Sequence, residues 1–110
     1  MPHAELKYSD DLIFDVPGMF NLIEQTILGL DADAGACKCR AYPAPAFHHS
    51  HILISLSLLA KPHRNAAFSA ALLAEMEPKL KAMLAAPCQF SLRLEYSPST
   101  YITNLHDPAG

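Results

Sequence analysis

Apolar and polar residues alternate one for one in four short stretches of this chain, and two longer stretches carry apolar residues at helical spacing. Residues 3–8, HAELKY, alternate and predict a first strand. In DVPGMFNLIEQTILGL, Asp15 is placed to cap a helix and Pro17 suits its first turn. Met19, Phe20, Leu22, Ile23, Ile27, Leu28 and Leu30 then form an apolar stripe, which DADAG with Gly35 should end. ACKCRAY (36–42) predicts a short second strand, and PAPAFHHS (43–50) a loop fixed by Pro43 and Pro45. HILISLSLL (51–59) is the strongest strand pattern in the chain. After the turn KPHRN, an Ala-rich helical pattern runs from Ala66 to Ala86, with Pro78 expected to kink or split it. QFSLRLEY (89–96) alternates again, and the tail from Ser97 is polar and irregular.

The order β-α-β-β-α-β predicts an α+β fold, a four-stranded sheet with two helices on one face, because right-handed crossovers put both helices on the same side. Alternation sorts the strand residues by face. Ala4, Leu6, Tyr8, Cys37, Cys39, Ala41, Ile52, Ile54, Leu56, Leu58, Phe90, Leu92 and Leu94 should face the helices. His3, Glu5, Lys7, Lys38, Arg40, Tyr42, His51, Leu53, Ser55, Ser57, Ser91, Arg93 and Glu95 should face away. A sheet built from β-α-β units usually has both faces covered, so copies of the same chain are expected to close over the polar face.

Length and composition narrow the class. The 110 residues suit one domain, 1–110, able to bury a core without disulfides or metal. A net charge of -3 leaves no basic footprint for nucleic acid, and no apolar run is long enough to span a membrane. Glu5, Asp10 and Asp11 stand where a signal peptide would be basic and then apolar. Together with an odd number of cysteines (Cys37, Cys39 and Cys88), this gives the expectation of a cytoplasmic protein.

Four residues are candidates for chemistry. Removal of Met1 would make the Pro2 nitrogen a secondary amine, and burial or nearby cations would hold it neutral as a general base. The structural alternative is a proline tolerated at a strand start. Lys38 and Arg40, two apart on one strand face, could grip a dianion or a developing enolate, or could be ordinary solvated charges. Arg64, at the start of the second helix, could add charge to an anion-binding helix N-terminus, or could be an exposed basic turn. His48, His49 and His51 beside Cys37 and Cys39 fit no usual zinc spacing. A polar loop and small buried cysteines account for the same residues. No Gly-rich phosphate loop or nucleophile elbow is present.

Taken together, these residues resemble the 5-carboxymethyl-2-hydroxymuconate isomerases of the tautomerase superfamily. MPHAELKYSDDL is similar to the family's Met-Pro-His start, and DVPGMF to an Ile/Leu-Pro-Gly/Ala-Leu segment. AGACKCRAY resembles Gly-Ile-Arg-x-Arg-Ala-His, HILISLSLL a strand ending Leu-Thr-Leu, and TNLH an Asn-Asn-Ile-His segment. The resemblance implies a trimer and a cofactor-independent 1,3-proton shift on a small unsaturated 2-hydroxy or 2-keto carboxylate, in aromatic-compound catabolism. It implies Pro2 as the catalytic base, with Lys38, Arg40 and Arg64 binding the anionic substrate, and no metal or organic cofactor. The chain departs from the family at Lys38, where Arg is general, at Lys7, where an acid is frequent, and in the turn 61–65, which is not Gly-rich. A non-catalytic trimeric small-ligand-binding module on the same fold is the alternative.

Overall fold

The computed structural model describes residues 1–109. The elements are β1 (His3–Ser9), α1 (Val16–Leu30), β2 (Lys38–Ala44), β3 (His51–Leu58), α2 (Ala66–Lys81) and β4 (Gln89–Tyr96). The sheet order is β2-β1-β3-β4, with β1 and β2 parallel, β1 and β3 antiparallel, and β3 and β4 parallel. This is the β-α-β-β-α-β fold that the periodicity predicts.

Each helix begins where the sequence signals it. The Asp15 carboxylate accepts from the Gly18 N–H at 3.0 Å, and Asn65 accepts from the Phe68 N–H at 3.0 Å. Gly18 has a steric reason to be glycine, since a Cβ there would collide with the Asp15 carboxylate that caps the helix. Met19, Ile23 and Ile27 of α1 and Leu72, Met76 and Leu80 of α2 are buried against Ala4, Leu6, Ile52, Ile54, Leu56 and Leu58 of the central strands. Those side chains alternate along β1 and β3, so both strands bury one face, as the pattern predicts. Cys39, Ala41, Phe90, Leu92 and Leu94 lie on the same side but are only partly buried, because β2 and β4 are the sheet edges.

Two boundaries differ from the sequence-based ones. β2 starts at Lys38 and runs through Pro43 to Ala44, where a loop was expected from Pro43. The Lys38 N–H donates to the Pro2 carbonyl at 2.9 Å, and the Ala44 carbonyl accepts from the Asp10 N–H at 3.0 Å. Even-numbered residues of β2 therefore bond to β1, and position 43 turns its backbone outward, where a missing N–H costs nothing. The second helix stops at Lys81 instead of Ala86. Pro78 falls in its last turn, so the helix loses one hydrogen bond near its end and is not split. Met83 and Leu84 then donate to Leu80 and Lys81 three residues back, so tighter turns carry the spacing that reads as helix.

The face away from the helices carries polar side chains in register. His3 pairs with Lys38 and Ser57, Glu5 with Arg40 and Ser55, and Ser55 with Arg93. Among the described residues no helix is long and apolar enough to cross a membrane.

Candidate active site

The start of β1 lies beside the start of β2, so Pro2 and Lys38 are brought together by the sheet itself. Pro2 is fully buried, and its nitrogen is bonded to Met1, which is itself partly exposed. The Lys38 ammonium lies 3.0 Å from Met1 Sδ and 3.0 Å from the Ala36 carbonyl. Burial holds the Met1 amine below its ordinary value, and the cations Arg64, Lys61 and Lys38 lower it further. His3 is lowered as well, first by burial and then by Arg40, Lys38 and the amino terminus. This end of the sheet is therefore a positive, partly desolvated region around the first residues of the chain.

Arg40 stands one rung further along, on the open face. It donates from Nε and Nη2 to Glu5 Oε1 at 3.1 and 2.5 Å, and Nη1 lies 3.4 Å from His3 Nδ1. The Arg40 bond holds the Glu5 carboxylate below its usual range. Arg40 and Glu5 are 44% and 29% exposed. An ion pair this wet contributes about 0–1 kcal/mol, so an incoming carboxylate can displace Glu5 from the guanidinium. His3, Glu5, Arg40, Ser55, Ser57, Arg93, Glu95 and Tyr101 line an open depression of about 300 Å³ here. Arg93 donates to Ser55 Oγ at 3.0 Å and lies 3.3 Å from Glu95, so two arginines sit in the depression with an acid beside each.

Arg64 occupies a different position from the one its sequence context suggests. Its side chain is 2% exposed and donates to Asp31 Oδ2 from Nε at 2.9 Å and from Nη2 at 2.7 Å. Nη1 donates to the Leu59 carbonyl at 2.9 Å. The structure thus places Arg64 in a buried pair with Asp31, with one bond from each of its three nitrogens, where the sequence context suggested an open anion site. Its charge still reaches the amino terminus.

Sequence reasoning places Pro2, Lys38 and Arg40 on neighbouring strands, and the sheet brings Pro2 beside Lys38 and Arg40 beside His3. It misses Glu5 and Tyr101 as site residues and Asp31 as the partner of Arg64. Glu5 is visible on the correct face by alternation, but its pairing with Arg40 needs the strand register. Tyr101 lies in the irregular tail, which has no periodicity to read. In the loop before β3, the His48 and His49 rings lie with centroids 4.1 Å apart, tilted at 53°, and His51 Nδ1 lies 2.9 Å from the His49 carbonyl. Among the described residues no three His, Cys, Asp or Glu side chains converge to hold a metal ion.

No protein-family model matches the chain, and no curated protein sequence matches it significantly. Solved structures do match, and they show a tautomerase-like fold. A 5-carboxymethyl-2-hydroxymuconate delta-isomerase superposes with a TM-score of 0.74 at 17% identity, covering 96% of this chain and 89% of that one. A 5-carboxymethyl-2-hydroxymuconate isomerase from Deinococcus radiodurans R1 gives 0.69 at 19% identity, covering 94% and 90%. A macrophage migration inhibitory factor-like protein from Entamoeba histolytica gives 0.56 at 11% identity, covering 96% of each.

Proposed function

We propose that this protein is a cofactor-independent isomerase that moves a proton between carbons of a small unsaturated 2-hydroxy or 2-keto carboxylate. The observation that carries the reading is the fully buried Pro2 at the start of β1, bonded through its carbonyl to the Lys38 N–H at 2.9 Å, with the Lys38 ammonium 3.0 Å from Met1 Sδ. Loss of Met1 leaves the Pro2 nitrogen in that same region as a secondary amine. Burial and like charge disfavour its protonated form, so it stands neutral and accepts a proton from the carbon next to the carbonyl. The product dienolate is an anion, and Lys38 and Arg40 stabilise it and hold a carboxylate, with Arg64 and Lys61 contributing field and no contact. Protonation of the far carbon by the prolinium completes the 1,3-shift and restores the neutral amine. The names of the structurally similar isomerases favour a muconate-type substrate.

We further propose that three copies close over the polar sheet face. Tyr42, Phe47, Tyr101, Ile102 and Leu105 are exposed apolar side chains that a monomer would leave in water. A non-catalytic anion-binding module on the same fold is the second reading, favoured by the withdrawal of Arg64 into its pair with Asp31.

Amino-terminal mass spectrometry joined to an enol-to-keto absorbance assay tests the proposal. Met1 absent, with turnover abolished in Pro2→Ala, is the expected result. Met1 retained, or a Pro2→Ala rate equal to wild type, overturns the mechanism. Anion binding without any turnover selects the module.

A further inference from the structure

The proposed proton transfer leaves one pair of nucleophilic side chains unused. Cys37 and Cys39 are free thiols whose sulfurs lie 3.6 Å apart. Both point to the helix side of the sheet, both are partly buried, and both stand at the edge strand, which has no neighbour beyond it. Cys37 precedes the first residue of β2, and its N–H, which points away from β1, donates to the Glu24 carboxylate at 2.8 Å. Its own N–H is therefore outside the strand ladder, but its peptide bond to Lys38 carries the first rung to Pro2. Cys88 takes no part, since it lies next to β4 at the opposite sheet edge.

We propose that Cys37 and Cys39 form a redox dithiol that exchanges with low-molecular-weight disulfides and closes a disulfide across Lys38. The sulfurs lie within hydrogen-bond reach of each other, and that contact holds Cys39 below the ordinary thiol value and, with burial, pushes Cys37 up. Cys39 is thus the attacking sulfur and Cys37 the resolving one. Cys39 gives up its Sγ–H proton to solvent, and the thiolate attacks one sulfur of the disulfide R–S–S–R. The S–S bond breaks, and one RS⁻ leaves with the bonding pair and takes up a proton. Cys37 then attacks Cys39 Sγ in the mixed disulfide and gives its proton to the second departing RS⁻. Two electrons and two protons pass from the cysteines to the small disulfide, leaving two R–SH and one intramolecular bond.

Closure has a mechanical consequence. A disulfide needs sulfurs about 2.05 Å apart, so the pair must close by about 1.5 Å with Lys38 between them. The Lys38 N–H to Pro2 carbonyl bond is the first rung between β1 and β2, and the Lys38 ammonium lies beside Met1. Oxidation therefore loosens the rung that holds the start of β1. The thiol chemistry itself is independent of any catalytic role for Pro2.

The test equilibrates full-length protein in a series of reduced and oxidised glutathione, then quenches it in acid and alkylates it. Intact mass and peptide mapping follow. Wild type is expected to lose two alkylation sites together, at positions 37 and 39, while Cys88 stays alkylated. Cys37→Ser is expected to stop at a glutathione adduct on Cys39. Hydrogen exchange at the Lys38 amide is expected to speed up in the oxidised form. Wild type that keeps both sites alkylated, or collects separate glutathione adducts at the rate of Cys88, overturns the proposal without reference to any variant. Unchanged Lys38 exchange in a form shown to be oxidised overturns the link to β1.

Discussion

Arg64 and Asp31 form a buried ion pair, Nη2 to Oδ2 at 2.7 Å, that ties the residue capping the end of α1 to the turn that starts α2. Leaving one charge of such a pair buried and unpartnered costs about 3–5 kcal/mol. Arg64→Ala is therefore expected to lower the urea midpoint sharply, while Asp31→Asn with Arg64 intact also destabilises because the guanidinium is stranded. If Arg64 instead contacted substrate, Arg64→Ala would keep its midpoint and lose only substrate affinity, and equilibrium unfolding separates the two.

The same pair makes stability depend on acid. The hydrogen bond from His63, at 2.9 Å to Oδ2, and then the Arg64 guanidinium hold the Asp31 carboxyl down at about 2. The ordinary value is 3.8, so the folded value is depressed and the contribution is present above the unfolded pKa. It is lost as pH falls from about 4 to about 2, and is on the order of 2 kcal/mol. Urea unfolding across that window should show the loss in wild type and a flatter profile in Asp31→Asn.

Two glycines of α1 should behave oppositely. Gly29 is exposed in the last turn of α1, without a positive φ and with open space where a Cβ would go. Gly29→Ala is expected to stabilise by about 0.5–1 kcal/mol through lower chain entropy in the unfolded state. Gly18→Ala is expected to destabilise by about 1 kcal/mol, because its Cβ displaces the capping Asp15 carboxylate. Thermal melts of both variants check the signs.

Glu5 competes with any carboxylate for Arg40. Under the proposed function, Glu5→Gln should lower KM for a dicarboxylate about twofold to fivefold, the worth of an exposed ion pair. Arg40→Ala should raise it by about tenfold or more, as expected for a lost charge-assisted hydrogen bond. Steady-state kinetics with both variants checks the order, and an unchanged KM in Arg40→Ala removes that residue from the site.

The proposed base is active when neutral, so kcat/KM should rise with pH through the pKa of the Pro2 amine. Burial and the cations lower the Met1 amine at the chain start, and the same surroundings are expected to lower the Pro2 amine below that of an unfolded amino-terminal proline. A pH–rate midpoint at or above that of an unfolded amino-terminal proline peptide would contradict the field described at the chain start. Lys38→Gln, which removes one of the cations, should move the midpoint upward.

The proposed trimer predicts a sedimenting species of three times the 12.0 kDa chain mass. Replacing Ile102 and Leu105, 89% and 82% exposed, with Asp should shift it toward single chains. A wild-type protein that sediments as one chain at assay concentration would remove the assembly.

Much of this fold is carried by local chemistry. The two-residue period assigns Leu6, Ile54 and Leu56 to one face and Glu5, Arg40 and Ser55 to the other, because a strand cannot present successive side chains to the same side. Asp15 and Asn65 cap their helices through bonds only three residues long, so those boundaries are readable too. The end of α2 was not readable, because helical spacing at Met83 and Leu84 is equally compatible with the tighter turns that form there. Pro43 joins β2 only because that strand is an edge, which is a property of the sheet order.

The sequence by itself therefore determined the element types, the two faces of the sheet and the gathering of cations on one of them. Tertiary structure decided which cations are free. Arg40 and Arg64 look alike in sequence, each a basic residue beside a plausible anion site. Asp31, 33 residues earlier, draws Arg64 into a buried pair, while Arg40 keeps a solvated bond to Glu5 and a longer contact to His3. Partners that far apart leave no periodic signal, because their meeting depends on how α1 and α2 pack and not on the spacing along either.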